Sequence, residues 1–206
     1  MSIDVKQFIH LYICRHGESI HNVERITCGQ LDSPLSNKGR MQALKLRELI
    51  SQYNISFDLC YTSPLSRAKE TAKIISNGTE IKIEQALIEI DAGSASHLPL
   101  SELNNLEPRF QRHGLVPDLK YPNGESLLEF QERILKWFEN EFAKAEKGKS
   151  YLLVAHWGTL NIILHHLFKI PLDNYCAFYL NNCELTYITM LDGNLAYPQI
   201  HKVNTI

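Results

Sequence analysis

The run Phe8-Ile9-His10-Leu11-Tyr12-Ile13-Cys14 stands directly before Arg15-His16-Gly17-Glu18. The run is short, apolar and rich in Ile, Tyr and Phe, which predicts a buried strand. Sheets built from alternating strands and helices bind ligands just past the carboxyl ends of their strands, where Arg15 and His16 stand. Arginine offers a planar fork of donors to phosphate oxygens, and a neutral imidazole can attack phosphorus. The pair therefore suggests an anion site that contains a nucleophile.

Strand and helix signals alternate along the rest of the chain. Further strands are predicted at 57–61, 80–84 and 151–155, and helices near 37–52, 64–77, 99–107, 125–145 and 158–169. Ser63 is the expected cap of the second of these helices, with Pro64 in its first turn. The extended runs 184–191 and 195–203 flank Asp192-Gly193-Asn194, which is typical of a hairpin. The pattern predicts a three-layer α/β/α sandwich with a mostly parallel central sheet and an antiparallel edge strand or hairpin.

The composition fits a single domain over residues 1–206. Of the 206 residues, 44% are hydrophobic, which is enough for a sizeable core. Residues 90–123 are the least regular segment, and we interpret them as a cap over the pocket that sets specificity. The formal net charge of −2 argues against a nucleic-acid partner, because such proteins normally carry a basic surplus.

The cysteines and the absence of targeting signals favour a cytoplasmic protein. The five cysteines are odd in number and irregularly spaced, which predicts reduced thiols rather than disulfides. The first six residues lack the basic start and apolar core of a signal peptide. No apolar stretch approaches the length of a membrane span, so we expect no membrane partner. The sequence does not predict the oligomeric state.

Chemistry-bearing residues follow three of the predicted strands. Arg15 and His16 follow the first strand, Arg67 lies in the helix after the second, and His156 follows the strand at 151–155. Because the carboxyl ends of parallel strands meet at one edge of a sheet, we expect these side chains to face one pocket. Two arginines, two histidines and the adjoining helix N-termini would hold a phosphoryl group without a metal or cofactor.

An ordered set of motifs lies between about Leu11 and Leu164. The motifs are Arg15-His16-Gly17-Glu18-Ser19 with Asn22, Asp32-Ser33-Pro34-Leu35-Ser36, Thr62-Ser63-Pro64-Leu65-Ser66-Arg67-Ala68, Gly124-Glu125-Ser126, and Ala155-His156 with Gly158. In this set the chain resembles the histidine phosphatase superfamily, in its phosphoglycerate-mutase-like branch.

The resemblance implies roles for the matching residues. His16 is implied to be the nucleophile that becomes phosphohistidine, attacking as a neutral ring whose other nitrogen donates to a nearby carbonyl. Arg15, Arg67 and Asn22 are implied to bind phosphate oxygens. His156 is implied to be a further donor, most effective when protonated.

An acid and a substrate segment complete the implied site. Glu89 stands where the family carries the proton donor to the leaving oxygen, and Asp91 is the nearby alternative. The Cys28-Gly29 backbone is implied to touch the rest of the substrate. The family usually follows its acid with a tryptophan-glutamate-glycine run, whereas this chain has Ala95-Ser96-His97. The surroundings of the acid are therefore expected to differ.

Three activities are compatible with this pattern. A phosphomonoesterase acting on a small phosphorylated metabolite is favoured, because only about 35 residues separate Glu89 from Gly124. A phosphoglycerate mutase needs a longer lid there to keep water from its phosphohistidine. A catalytically silent phospho-ligand-binding relative is disfavoured because both arginines and both histidines are present. The sequence does not identify the substrate.

Overall fold

A computed structural model describes residues 7–106, 117–175, 177–191 and 198–202. Its six strands form one sheet in the order β3-β2-β4-β1-β5-β6. The strands are β1 Ile9–Arg15, β2 Leu59–Thr62, β3 Ile81–Ile83, β4 Ser150–Ala155, β5 Leu185–Met190 and β6 Gln199–Lys202.

The sheet is parallel on one side and antiparallel on the other. Strands β3, β2, β4 and β1 run parallel, whereas β5 lies antiparallel to β1, and β6 antiparallel to β5. This topology confirms the predicted mostly parallel sheet with an antiparallel edge hairpin. The predicted turn at 192–194 lies outside the described residues.

Helices cover both faces of the sheet. They are α1 Ile20–Glu24, α2 Asn37–Gln52, α3 Ser66–Ile75, α4 Leu103–Leu106, α5 Leu127–Phe142 and α6 Trp157–Phe168. The short helix α1, which the sequence analysis missed, begins with a capping box between Ser19 and Asn22. Among the described helices, none combines the length and apolarity that crossing a bilayer requires.

Alternate side chains of the strands build two cores. Leu153 and Ala155 of β4 pack with α5 and α6, whereas Leu152 and Val154 of the same strand pack with α2 and α3. This alternation is what a strand buried on both faces requires. It confirms the predicted three-layer sandwich.

The start of α3 differs from the prediction. The helix begins at Ser66, and neither Ser63 nor Pro64 belongs to its first turn. The N–H of Ser66 donates to the carboxylate of Asp32, 2.8 Å away, so the cap comes from a distant segment. Ser63 is instead bonded to His156. A local sequence signal could not anticipate either contact.

Candidate active site

A cavity of about 460 Å³ opens at the carboxyl ends of β1, β2 and β4. His16 follows β1 directly and its N–H donates to the carbonyl of Ala155, so the two strand ends are held side by side. All eight predicted site residues line this cavity: Arg15, His16, Asn22, Cys28, Gly29, Arg67, Glu89 and His156. The expectation that the three strand ends form one pocket is therefore met.

Arg67 is buried and Arg15 is half-buried, and both are anchored by backbone carbonyls. Arg67 donates from its two terminal nitrogens to the carbonyls of Leu31 and Gly29, at 2.8 and 3.0 Å. Arg15 donates to the carbonyl of Leu180 at 2.9 Å. Burial lowers the pKa of both guanidinium groups, yet arginine stays charged in proteins. Carbonyls balance only part of this charge, so the pocket remains a strong anion site.

The ring of His16 is held in one orientation by a backbone carbonyl. Its ring is only 4% exposed, and its Nδ1 lies 2.7 Å from the Gly17 carbonyl. Because a carbonyl can only accept, Nδ1 carries the proton and Nε2 keeps its lone pair. Burial, and then the charges of Arg67 and Arg15, lower the pKa of His16 well below its ordinary value. The ring is therefore neutral near pH 7, as the sequence analysis expected.

His156 lies against His16 and is positioned by a serine. The two ring centroids are 5.1 Å apart, and the Nε2 of His156 lies 2.7 Å from the Ser63 hydroxyl. Burial, followed by the charges of Arg67, His16 and Arg15, lowers the pKa of His156. These neighbours favour the neutral ring, in contrast to the protonated donor expected from the sequence. The Nδ1 of His156 has no partner among the described residues, so this ring nitrogen is the one left to contact a ligand.

Unpartnered polar atoms concentrate in the cavity lining. Within the described part of the chain, four buried side-chain polar atoms have no hydrogen-bond partner. Three of them belong to cavity residues, namely Arg15 Nε, Thr27 Oγ1 and His156 Nδ1. Buried polar atoms are otherwise almost always paired. The cavity is therefore built to give hydrogen bonds to a ligand.

Glu89 combines a raised pKa with a fixed position. Its two carboxylate oxygens accept from the N–H groups of Ile90 and Gly158, at 3.0 and 2.9 Å. Burial raises the pKa of Glu89, and these two bonds together with the charges of Arg67 and Arg15 only partly oppose it. A side chain at Gly158 would collide with this carboxyl group.

The alternative acid, Asp91, is placed differently. Its carboxylate accepts from the N–H of Gly93 at 2.9 Å, and Asp91 is absent from the cavity lining. The altered segment that follows pairs with the cavity wall, since His97 donates to the carbonyl of Thr27, and Thr27 donates to that of Leu98. Geometry thus favours Glu89 over Asp91 as the proton donor.

Asn22, Cys28 and Gly29 form one rim of the cavity. The side-chain oxygen of Asn22 accepts from the N–H of Ser19 in the capping box of α1. The Cys28 thiol donates to the carbonyl of Leu31 at 3.1 Å, and burial raises the pKa of that thiol. Gly29 has a φ of +50°, and its carbonyl holds Arg67.

Arg133 on α5 is a supporting residue that the sequence analysis missed. Its guanidinium group donates to the carbonyls of Ala86, Ile88 and Glu89, at 2.9, 3.1 and 3.3 Å. It also binds both carboxylate oxygens of Glu125 at 2.9 Å. Only the Gly124-Glu125-Ser126 motif signalled this network, because nothing near Arg133 in the sequence indicates its distant partners.

Comparison with known proteins gives a consistent picture. A family model described as the histidine phosphatase superfamily, branch 1, matches residues 11–204. A Cronobacter sakazakii protein named "Probable phosphoglycerate mutase GpmB" is 30% identical over 87% of this chain and 84% of its own length. A Hydrogenobacter thermophilus protein named "Putative phosphoserine phosphatase 2" is 32% identical over 87% of this chain and 89% of its own.

A solved structure shares the fold. The α-ribazole phosphatase from Shigella flexneri superposes with a TM-score of 0.81 at 23% identity, over 95% of this chain and 96% of the other. At this identity the match shows a common architecture and does not bear on the substrate.

Proposed function

Because the chain belongs to branch 1 of the histidine phosphatase superfamily, we propose that it hydrolyses a small phosphate monoester through a phosphohistidine on His16. Phosphatase activity is supported by the family and by a relative that is named a phosphatase. The phosphohistidine, the roles of the individual residues and the independence from metal are the finer parts of the proposal. A phosphorylated metabolite is the proposed partner.

The observation that carries the proposal is the locked His16 ring. With its Nδ1 proton on the Gly17 carbonyl, its Nε2 attacks the phosphorus of the bound ester. Arg15, Arg67, Asn22 and the Nδ1–H of His156 donate to the phosphoryl oxygens, where charge develops in the transition state. Positioned donors of this kind supply the stabilisation that other phosphoryl-transfer enzymes obtain from magnesium.

Glu89 acts on the leaving group and then on water. Its raised pKa favours the protonated form, and in this mechanism the proton passes to the leaving oxygen as the P–O bond breaks. The carboxylate left behind takes a proton from water, which attacks the phosphohistidine and releases phosphate. His16 and protonated Glu89 are then restored, so protons balance over the cycle.

The first test measures phosphate release in EDTA from an aryl phosphate and a panel of metabolite phosphates between pH 5 and 8. We expect phosphate release from the wild-type protein and a loss of kcat of at least about a thousandfold in His16→Ala. An ester carrying radioactive phosphate should leave acid-labile radioactive phosphate on the wild-type protein. His166→Ala is the matched control, because His166 pairs with Glu139 away from the cavity. Full activity in His16→Ala would contradict the mechanism.

A mutase is the second candidate function, since one relative carries the name of a phosphoglycerate mutase. The same phosphohistidine would then pass its phosphoryl group to a second hydroxyl instead of to water. Interconversion of 2- and 3-phosphoglycerate that outpaces phosphate release would favour the mutase. Silence in both assays would favour a phospho-ligand-binding protein.

The proposed location is the cytoplasm. The described cysteines Cys14, Cys28, Cys60 and Cys183 are unpaired thiols, which supports a reducing compartment. Fractionation of the source cells would test this location.

A further inference from the structure

Apart from its charged residues, the cavity lining is mainly apolar, although Asn22, Thr27 and three tyrosines also contribute polar atoms. Side chains from separate parts of the chain converge there, including Ile26, Leu100, Leu103, Leu119, Trp157 and Tyr179. Leu103 is buried in a small cluster with Ala92, Ala95 and Tyr121, so this wall is packed from behind. Leu100 and Tyr179 are 53% and 84% exposed. Exposed apolar side chains at a concave site often mark a binding surface.

Two cations close to the described lining, Lys120 and Arg133, are already paired. Lys120 stands between two lining residues, but its ammonium lies 2.6 Å from Glu129. Arg133 is bound to Glu125. Among the described lining residues, the guanidinium groups are those of Arg15 and Arg67, which serve the phosphate. A carboxylate or ammonium on the rest of the substrate therefore meets no unpaired charge in the described lining.

A polar group on this wall is available. The hydroxyl of Thr27 is buried and has no partner among the described residues, while both backbone polar groups of Thr27 are bonded to the 97–98 segment. With the hydroxyls of Tyr121, Tyr175 and Tyr179 in the same lining, the wall offers a small number of hydrogen-bonding groups among mainly apolar side chains.

We propose that the substrate is the phosphate monoester of an aromatic or branched aliphatic alcohol that carries no second charge. This inference rests on the proposed phosphatase function and narrows its substrate class. Burial of an apolar body against this wall is favourable, whereas a hydroxyl-rich or charged body would lose water there without gaining partners. The cavity volume lies in the range of small-molecule sites.

The test compares esters with similarly poor alkoxide leaving groups, so that chemical reactivity does not decide the order. The set is 2-phenylethyl phosphate against phosphoserine, 3-phosphoglycerate and glucose 6-phosphate. We expect kcat/KM to be at least about tenfold higher for 2-phenylethyl phosphate, which is the size of effect that apolar pocket contacts produce. Equal or higher kcat/KM for any of the polar esters would overturn the inference.

A matched pair of leucine variants locates the effect. Leu100→Ser changes an exposed lining residue, and Leu128→Ser changes a leucine of 46% exposure that is absent from the lining. We expect Leu100→Ser to lower kcat/KM for 2-phenylethyl phosphate by about fivefold or more while changing that for glycerol 3-phosphate by less than about twofold. Leu128→Ser should change neither. Equal loss on both esters in Leu100→Ser would contradict recognition by the wall.

A binding measurement separates this inference from the proposed function. Calorimetry on the wild-type protein compares 3-phenylpropylphosphonate with 2-amino-4-phosphonobutanoate, the uncleavable counterparts of phenylethyl phosphate and phosphoserine. Tighter binding of the phenyl compound supports the apolar wall even if no ester is hydrolysed, in which case only the phosphatase proposal fails. Equal or weaker binding of the phenyl compound overturns the inference whether or not the protein is a phosphatase.

Discussion

At the scale of residues, the site shifts the pKa values of two groups in opposite directions. His16 is neutral because burial and two guanidinium groups lower its pKa, and Glu89 holds a proton more tightly because burial raises its pKa. The two arginines that we propose to bind phosphate therefore also help, after burial, to keep the proposed nucleophile neutral.

These shifts predict a bell-shaped pH profile. Activity should rise with pH as His16 loses its proton, and fall as pH rises through the raised pKa of Glu89, because the acid form is then lost. Glu89→Gln should lower kcat by about 10²- to 10⁴-fold and remove the falling limb. The loss should be smaller with p-nitrophenyl phosphate, whose leaving group needs little protonation. Steady-state kinetics across pH 4–9 would measure both effects.

Asp91→Asn is the control for that experiment. Its carboxylate binds the Gly93 N–H outside the cavity lining, so kcat and the falling limb should both persist. Loss of the falling limb in Asp91→Asn, with its survival in Glu89→Gln, would reverse the assignment of the acid.

At the scale of elements, α5 fixes the segment that carries Glu89. Arg133 binds three carbonyls of residues 86–89 as well as Glu125, and Glu125 in turn accepts from the N–H of Asp91 at 2.9 Å. One guanidinium group thus ties the helix to the loop on both sides of the acid. We infer that Arg133 is a positioning residue.

Arg133→Met should therefore misplace Glu89 without touching the phosphate site. We expect kcat to fall by about ten- to a hundredfold, because a small displacement of a catalytic group is enough for such a loss. The falling limb of the pH profile should also move, since the environment of Glu89 changes. Arg133→Lys should restore only part of the activity, because a lysine lacks the planar fork.

Arg40→Met provides the comparison for Arg133→Met. Arg40 also binds a glutamate, Glu70 at 2.6 Å, but it is half-exposed and outside the cavity. Such surface pairs contribute about 0–1 kcal/mol, so its kcat should be unchanged. If Arg133→Met keeps the wild-type kcat and the wild-type pH profile, the contacts of Arg133 have no catalytic effect.

The elements also show what the sequence could predict. Helix α2 matches the predicted bounds, because its cap Ser36 and its apolar face are local signals. Helix α3 does not, since its cap is Asp32 and the expected cap Ser63 binds a histidine 93 residues away. The eight predicted site residues, all in the cavity lining, came from the resemblance, either in its ordered motifs or at matching positions between them. Arg133 was not predicted, because its carbonyl partners lie more than 40 residues away in sequence.

At the scale of the whole molecule, the fold brings buried polar and ionisable side chains together at one end of the sheet. Strand β4 lies between β1 and β2, so residues from three distant parts of the chain surround one cavity. His16 and His156 are both buried, and both have lowered pKa values. Folding must therefore hold two histidines neutral that the unfolded chain would protonate in mild acid.

This arrangement predicts an acid-sensitive fold. Below the unfolded pKa of 6.5 the unfolded state binds more protons, so each of the two histidines should remove about 1.4 kcal/mol of stability between pH 7.5 and 5.5. Glu89 has the opposite effect on stability. Because its pKa is raised in the folded state, its contribution to stability grows as the pH falls toward its ordinary pKa of 4.5. Urea unfolding at several pH values would measure the slope. His156→Asn should lose about half of the slope of stability against pH. His166→Asn, at a partly exposed histidine, is the control and should keep the slope. An unchanged slope in His156→Asn would contradict a neutral buried ring.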